Sequence, residues 1–302
     1  MRWASFVWRA TREAHVGVVV DGVVYGFPPH VRLVDLLGDG NEALAEQAER
    51  VLRSPAVEAA IEAVDLLPPV PVPPSVRDFY AFEGHVRTAR AARGLEMDPD
   101  WYELPVFYFS NPHALVGHGA TVTIPSGCRE LDYELEVAAV IGRGGADLDP
   151  DEARDHIAGF TIMNDWSARD IQRQEMRLGL GPAKGKDFAT GLGPFIVTPD
   201  ELAPLAAGKA YDLAMTARVN DVELSRGLLA DIHWSFGEMI AYASRGTRVE
   251  PGDVIGSGTC GTGCLLELRL TGGEGVHRWL QAGDTVTLAV EHLGELTNTV
   301  CQ

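Results

Sequence analysis

Five prolines fall among the eight residues from Leu67 to Pro74. Proline fixes φ near about −65° and removes a backbone donor, so this stretch excludes both a helix and a central strand. It reads as a stiff, extended connector and divides the chain in two. Residues 1–72 are expected to form a small α+β N-terminal unit, and residues 73–302 a larger main domain.

The N-terminal unit opens on a hairpin signal. Two β-branched runs flank Asp21-Gly22, a pair suited to a turn with positive φ at both positions. Residues 31–66 then read as helical, with a break near Ser54-Pro55. The main domain reads as strand-rich. Short strands are expected at 120–124, 134–141, 159–163, 193–197, 213–219, 265–270 and 285–290, each bounded by Gly, Pro or Asp. Three helices stand out: one opening at Asp149-Pro150 with an acidic first turn, one over 167–176 and one over 228–243. No regular βαβ alternation appears. The expected class is mixed α/β and β-rich, a sandwich or roll rather than a doubly wound sheet.

Charge narrows the partners. Forty-three acids oppose twenty-five bases among 302 residues, a formal charge of −18. Such a surface repels phosphate backbones, so nucleic acid and anionic membranes are not expected partners. An anionic substrate would need local positive charge. No apolar run approaches the ~18 residues of a membrane span, and residues 1–9 carry no leader-like apolar stretch, so a cytoplasmic protein is expected. Cys128, Cys260, Cys264 and Cys301 are too few for a disulfide framework. Cys260 and Cys264 have no second cysteine pair and no histidine close in sequence, so buried thiols are expected rather than zinc.

Two motifs are weak. Gly256 to Gly261 matches G-x-G-x-x-G, but residues 264–270 read as a strand, and without a helix N-terminus a pyrophosphate has no dipole to rest on. Ser257 lacks the spacing of a nucleophile elbow.

Four segments carry chemistry. On a strand, Glu134 and Glu136 share one face with Ala138 and Val140. Two carboxylates facing a core resist ionisation. A divalent cation resolves that conflict, as would solvation or pairing with basic residues. Asp165 ends an apolar run where a helix begins, either as a displayed functional group or as a cap. Arg169 and Gln172 share a face of that helix. Gly181 to Pro194 forms a Gly/Pro loop holding Lys184 and Lys186, a basic turn or part of a site. His85 follows the connector closely, as a base or as a surface residue.

Together these segments resemble the fumarylacetoacetate hydrolase family. The resemblance rests on Asp132-Tyr133-Glu134-Leu135-Glu136, on Asn164 to Gln172 (N-D-W-S-A-R-D-I-Q), on Gly181 to Thr190 (G-P-A-K-G-K-D-F-A-T) and on Ser257-Gly258-Thr259. It covers roughly residues 76–300. It implies a β-rich catalytic domain that forms homodimers and a carboxylate-held divalent metal, usually Mg²⁺. The implied ligands are Glu134, Glu136 and Asp165, with Asp78 added because Asp78-Phe79-Tyr80 precedes His85 at the family spacing. All-oxygen ligation also suits Mn²⁺ or Ca²⁺, and not zinc.

The resemblance further implies that His85 is the base, oriented by Glu267 on a late strand. Relatives that act as acylpyruvases or oxaloacetate decarboxylases carry a Glu three residues after the His, where this chain has Thr88. Lys186 and Gln172 are implied oxyanion donors. Arg169 is implied to hold a substrate oxygen, and Tyr108, Thr259 and Thr190 are implied contacts. Two positions depart: Met176 replaces a substrate-contacting Tyr, and Gly94 replaces a substrate-binding Arg, with Arg90 and Arg93 nearby. The implied reaction is hydrolysis of a C–C bond in a small β-diketo acid, with an enolate as the leaving fragment. Alternatives are oxaloacetate decarboxylation, isomerisation of an unsaturated keto-diacid of the 2-hydroxyhepta-2,4-diene-1,7-dioate type, keto-sugar-acid dehydration, or a non-catalytic metal-binding scaffold.

Overall fold

A computed structural model describes residues 1–273 and 275–302. The fold is mixed α/β and strand-rich, built on a 12-stranded sheet and a five-stranded sheet. The hairpin forms as read: Glu13–Val20 pairs with Val23–Gly26, and Asp21 and Gly22 turn with φ of 49° and 77°. On its other side, Arg2–Trp8 pairs Arg2 with Val197 and Trp3 with Ile196. The sheet therefore runs without interruption from the N-terminal strands into Thr190–Val197, Ile157–Asp165, Leu135–Ile141, Val254–Gly256, Val76–Phe79 and Phe107–Ser110. The proline-rich stretch carries no helix or strand, and Ser5 Oγ donates to the Pro69 carbonyl at 2.7 Å.

Two apolar layers cover this sheet. On one face Leu44, Ala48 and Val51 of the Asn41–Arg53 helix join Val16, Val18, Ala138, Val140 and Leu192. On the other face Val137, Ala139, Phe160 and Ile162 meet Met215, Leu288 and Leu296 of the five-stranded sheet. The strand Leu135–Ile141 is buried along its whole length. That is the pattern of a strand covered on both faces, and it makes any charge there costly.

Three local readings are corrected. Residues 31–66 are helical mainly at 41–53, while Val57–Ala60 and Val64–Leu66 are strands. Pairing with Val23–Gly26 and with Phe6 to Trp8 overrides the helix-forming composition. The helix expected over 228–243 begins only at Phe236. Ser235 and Glu238 close a reciprocal capping box there. The strand expected over 265–270 is the helix Leu265–Gly272. Alternating leucines mimic strand periodicity, but Leu, Glu and Arg are good helix formers. Its first amides, of Leu265 and Leu266, donate to the Asp132 carboxylate at 2.7 and 3.0 Å. The expected caps at Asp149 and the helix Arg169–Met176 are present.

Candidate metal and catalytic centre

Three strands deliver four carboxylates to one point. Asp78 comes from Val76–Phe79, Glu136 from the start of Leu135–Ile141 with Glu134 immediately before that strand, and Asp165 from the end of Ile157–Asp165. One carboxylate oxygen of each lies within 4.8 Å of the others. All four residues are at most 4% exposed. Glycine makes the approach possible. A Cβ on Gly256 would fall 2.4 Å from Asp78 Oδ1, and one on Gly258 (φ 75°) would strike the Phe79 carbonyl. The Gly258 amide instead donates to Asp78 at 3.2 Å. The glycine spacing thus seats a carboxylate. The helix that follows does not free this loop for a phosphate, because its N-terminal amides are already taken by Asp132.

Two buried cations sit among five buried carboxylates, Asp132 included. Lys186 Nζ donates to Glu134 at 2.6 Å and to Asp165 at 2.5 Å. Its loop is gripped by Glu175, which accepts from the amides of Ala183, Lys184 and Gly185. Arg169 donates through Nε to Asp132 at 2.8 Å and through Nη1 to Gln172 at 3.2 Å. Its Nη2 stands 2.6 Å from Glu134 as an ion pair, without hydrogen-bond alignment. Tyr108 Oη donates to Asp165 at 2.5 Å, and Thr259 Oγ1 to Glu136 at 3.3 Å. Thr190 lies 3.4 Å from the Ser110 hydroxyl.

The charges remain incompletely answered. Glu136 Oε2 and Asp165 Oδ1 are buried and have no partner among the described residues. Burial, with the charges of Asp165 and Glu134 added, pushes Asp78 well above the usual carboxylate range. Burial and the charges of Asp78 and Glu134 do the same to Glu136. Burial pushes Asp165 up to about 6, although Lys186 opposes it. Glu134 alone goes down, because Lys186, Arg169 and His85 outweigh its burial. Oxygen-only donors with unanswered negative charge fit a hard divalent cation, so Asp78, Glu134, Glu136 and Asp165 are a chemically sound Mg²⁺, Mn²⁺ or Ca²⁺ set.

The second half of the centre is helical. His85 lies in the first turn of Glu83–Ala91, buried beneath the edge of Tyr80 at 5.6 Å. Its Nδ1 lies 3.0 Å from Glu267 Oε2, across 182 residues of chain. Glu267 stands on a helix and not on the strand read from sequence. Gln172 is half-buried beside Arg169. Of the departing positions, Met176 and Gly94 are exposed, and Arg90 is engaged with the Glu96 carbonyl at 2.6 Å.

Asp132 is a further candidate that the sequence reading does not single out. Its side chain is wholly buried and joins Arg169 to the helix that carries Glu267. The signal was available, since Asp132, Glu134 and Glu136 continue one i, i+2 series. Two open clefts, of about 460 and 760 Å³, lie elsewhere and contain none of these residues.

The model of the fumarylacetoacetate (FAA) hydrolase C-terminal region matches residues 75–301. The chain belongs to the fumarylacetoacetate hydrolase family. Among family relatives, the fumarylacetoacetase of Arabidopsis thaliana is 31% identical over 268 residues, covering 70% of this chain and 63% of that protein. The chain thus spans less than two thirds of the length of that relative. The oxaloacetate tautomerase YisK of Bacillus subtilis is 29% identical over 232 residues, covering 76% of this chain and 71% of that protein. The solved fumarylacetoacetate hydrolase of Exiguobacterium antarcticum superposes with a TM-score of 0.78 at 28% identity, over 100% of this chain and 99% of that one. The maleylpyruvate hydrolase of Sphingobium sp. SYK-6, solved with manganese(II) and pyruvate, shares the fold, with a TM-score of 0.74 at 23% identity over 100% of this chain and 99% of that one. Family members thus include hydrolases and a tautomerase. Among the described residues no helix is long and apolar enough to cross a membrane.

Proposed function

We propose that this protein hydrolyses a C–C bond in a small β-diketo acid of the acylpyruvate or fumarylacetoacetate kind. The observation that carries the reading is the His85–Glu267 pair at 3.0 Å, next to an all-carboxylate cluster. Asp78, Glu134, Glu136 and Asp165 would hold a divalent cation, Mg²⁺ or Mn²⁺ before Ca²⁺, which when bound polarises carbonyl oxygens and offsets substrate charge.

Glu267 accepts the Nδ1 proton of His85 and so leaves Nε2 as the acceptor. His85 then takes a proton from water as the oxygen attacks the distal carbonyl. Lys186 spends two of its three donors on Glu134 and Asp165, and the third is free for the developing oxyanion. The Gln172 amide is a second donor, and such a donor is worth roughly 3–4 kcal/mol. Arg169 orients a substrate oxygen, while Tyr108, Thr190 and Thr259 line the site. When the C–C bond breaks, its electron pair stays on the enolate fragment. The imidazolium of His85 returns the proton to that carbon, giving one carboxylic acid and one ketone.

The test is an absorbance assay with Mg²⁺ or Mn²⁺ on fumarylacetoacetate, acylpyruvates and oxaloacetate in parallel. Loss of the diketone chromophore that depends on metal and on His85 is the expected result. The tautomerase relative motivates a second reading, enolisation or decarboxylation of a keto-diacid without activated water. Pyruvate from oxaloacetate alone, retained in His85→Ala, would favour it. A homodimer and a cytoplasmic setting belong to the same proposal, as does the division of the chain at residues 72/73.

A further inference from the structure

We propose that His85, Cys264 and Glu267 form a second cation site, for a thiophilic divalent ion such as Zn²⁺ or Cd²⁺, beside the oxygen cluster. One ligand atom from each of the three residues lies within 4.8 Å of the other two. All three residues are more than nine-tenths buried. The set offers one nitrogen, one sulfur and one oxygen, the donor mix of a zinc site and unlike the four oxygens next to it.

The His85–Glu267 spacing is close to what such an ion needs, and the Cys264 ligand atom lies within 4.8 Å of both. Bonds of about 2.0–2.3 Å to tetrahedral zinc place neighbouring donors roughly 3.5 Å apart. His85 Nδ1 and Glu267 Oε2 are already at 3.0 Å. Cys264 precedes the first turn of Leu265–Gly272, and Glu267 is its third residue, so one short helix start aims both side chains at His85. Spacing in the sequence hides this site, because the histidine that completes it stands 179 residues before Cys264.

The thiol has no part in the hydrolysis proposed above. Asp132, Glu134 and Arg169 all lie near enough to act on it, and Arg169 is itself paired with both acids. Binding would replace the Cys264 thiol proton, which leaves to solvent, with the metal–sulfur bond, and no oxidation or reduction is involved. A metal there ties up both His85 and Glu267, so it would inhibit, and excess Mg²⁺ at the oxygen cluster would not relieve it. Only this inhibitory consequence rests on the proposed hydrolysis; the binding claim does not.

The test is a Cd²⁺ titration of the full chain under saturating Mg²⁺, read by the ultraviolet thiolate-to-cadmium charge-transfer band. One equivalent of cadmium is expected to raise the band, and Zn²⁺ is expected to bleach it. Cys264→Ser should abolish it, and Cys260→Ser should leave it. Glu267→Gln, a second probe that keeps the thiol, should weaken cadmium binding at least about tenfold, since even outer-shell partners cost 10–100-fold. Absence of the band, its survival in Cys264→Ser, or unchanged affinity in Glu267→Gln would each overturn the site. A protein that shows the band but cleaves no β-diketo acid would overturn the proposed hydrolysis and leave the site standing.

Discussion

Asp284 and Asp165 are both buried aspartates, and the protein treats them in opposite ways. Asp284 receives two hydrogen bonds from Arg278, at 2.6 Å each, one from Asn220 at 2.7 Å and one from the Gln281 amide at 2.8 Å. Those donors, Arg278 first, hold it down at about 2. Asp165 shares a small volume with three other acids and keeps one oxygen without a partner among the described residues. Burial lifts it to about 6. The chain completes the first carboxylate by itself and leaves the second set incomplete. A buried, incompletely paired set of oxygen donors fits a divalent cation, and this contrast is what supports the metal site proposed above.

The sharpest way to break that contrast is to remove an unanswered acid. Glu136→Gln and Asp165→Asn should weaken Mg²⁺ or Mn²⁺ binding by about 100-fold or more in calorimetric titration, since outer-shell changes alone cost 10–100-fold. In the unaltered protein, divalent metal at 100 times its dissociation constant should add about 2.7 kcal/mol of stability, and in the variants the same metal concentration should add about 0.4 kcal/mol or less. Equal metal affinity in the variants would mean that the cluster is balanced internally after all.

The next effect concerns the helical half. His85→Ala should lower hydrolysis by roughly 10²–10⁴-fold, the usual contribution of a general base, while metal affinity stays as it was. Parallel loss of both would merge the two halves of the centre into one unit. A smaller effect is expected at the residue that joins them. Asp132→Asn keeps an acceptor but removes the charge facing Arg169 and the helix start. Hydrogen bonds to charged groups are worth about 1.5–3 kcal/mol, so kcat/KM should fall roughly 10–100-fold with a lower melting temperature and little change in metal affinity. Unchanged kcat/KM would confine Asp132 to folding.

The two halves also differed in how far the sequence revealed them. Strand chemistry was readable, because a period of two places Glu134 and Glu136 on one face whatever the rest of the chain does. Asp165 was readable from the end of an apolar run. In the helical half His85 was readable only as a base or a surface residue, and its pairing with Glu267, like the role of Asp78, came through family resemblance. Nothing local links His85 to Glu267, and the alternating leucines around Glu267 imitate a strand. That segment is helical because Asp132, more than 130 residues away, satisfies its first amides. The extended edge strands Val57–Ala60 and Val64–Leu66 were hidden in the same way, by partners remote in sequence. Contacts within one element can be read from spacing, whereas those that join elements wait on the topology.

The satisfied carboxylate gives the smallest and most controlled prediction. The usual carboxyl of an aspartate titrates near 3.8, and in the folded protein Asp284 is held at about 2. A depressed folded value means that the ionised form stabilises the native state. That contribution is fully present above about pH 4, is lost as pH falls toward 2, and is absent below, where both states carry the proton. Asp284→Asn should therefore cost about 1 kcal/mol near neutrality, a charge-assisted bond discounted because the Arg278 side chain is 54% exposed. Denaturant unfolding of the two proteins should show a constant gap from pH 7 to 5 that narrows toward pH 3. High salt should shrink the gap only in part, because the Asn220 and Gln281 bonds are not screened as the Arg278 pair is. A gap that widened on acidification would reverse the sign, and Asp284 would then stand with the unanswered acids rather than against them.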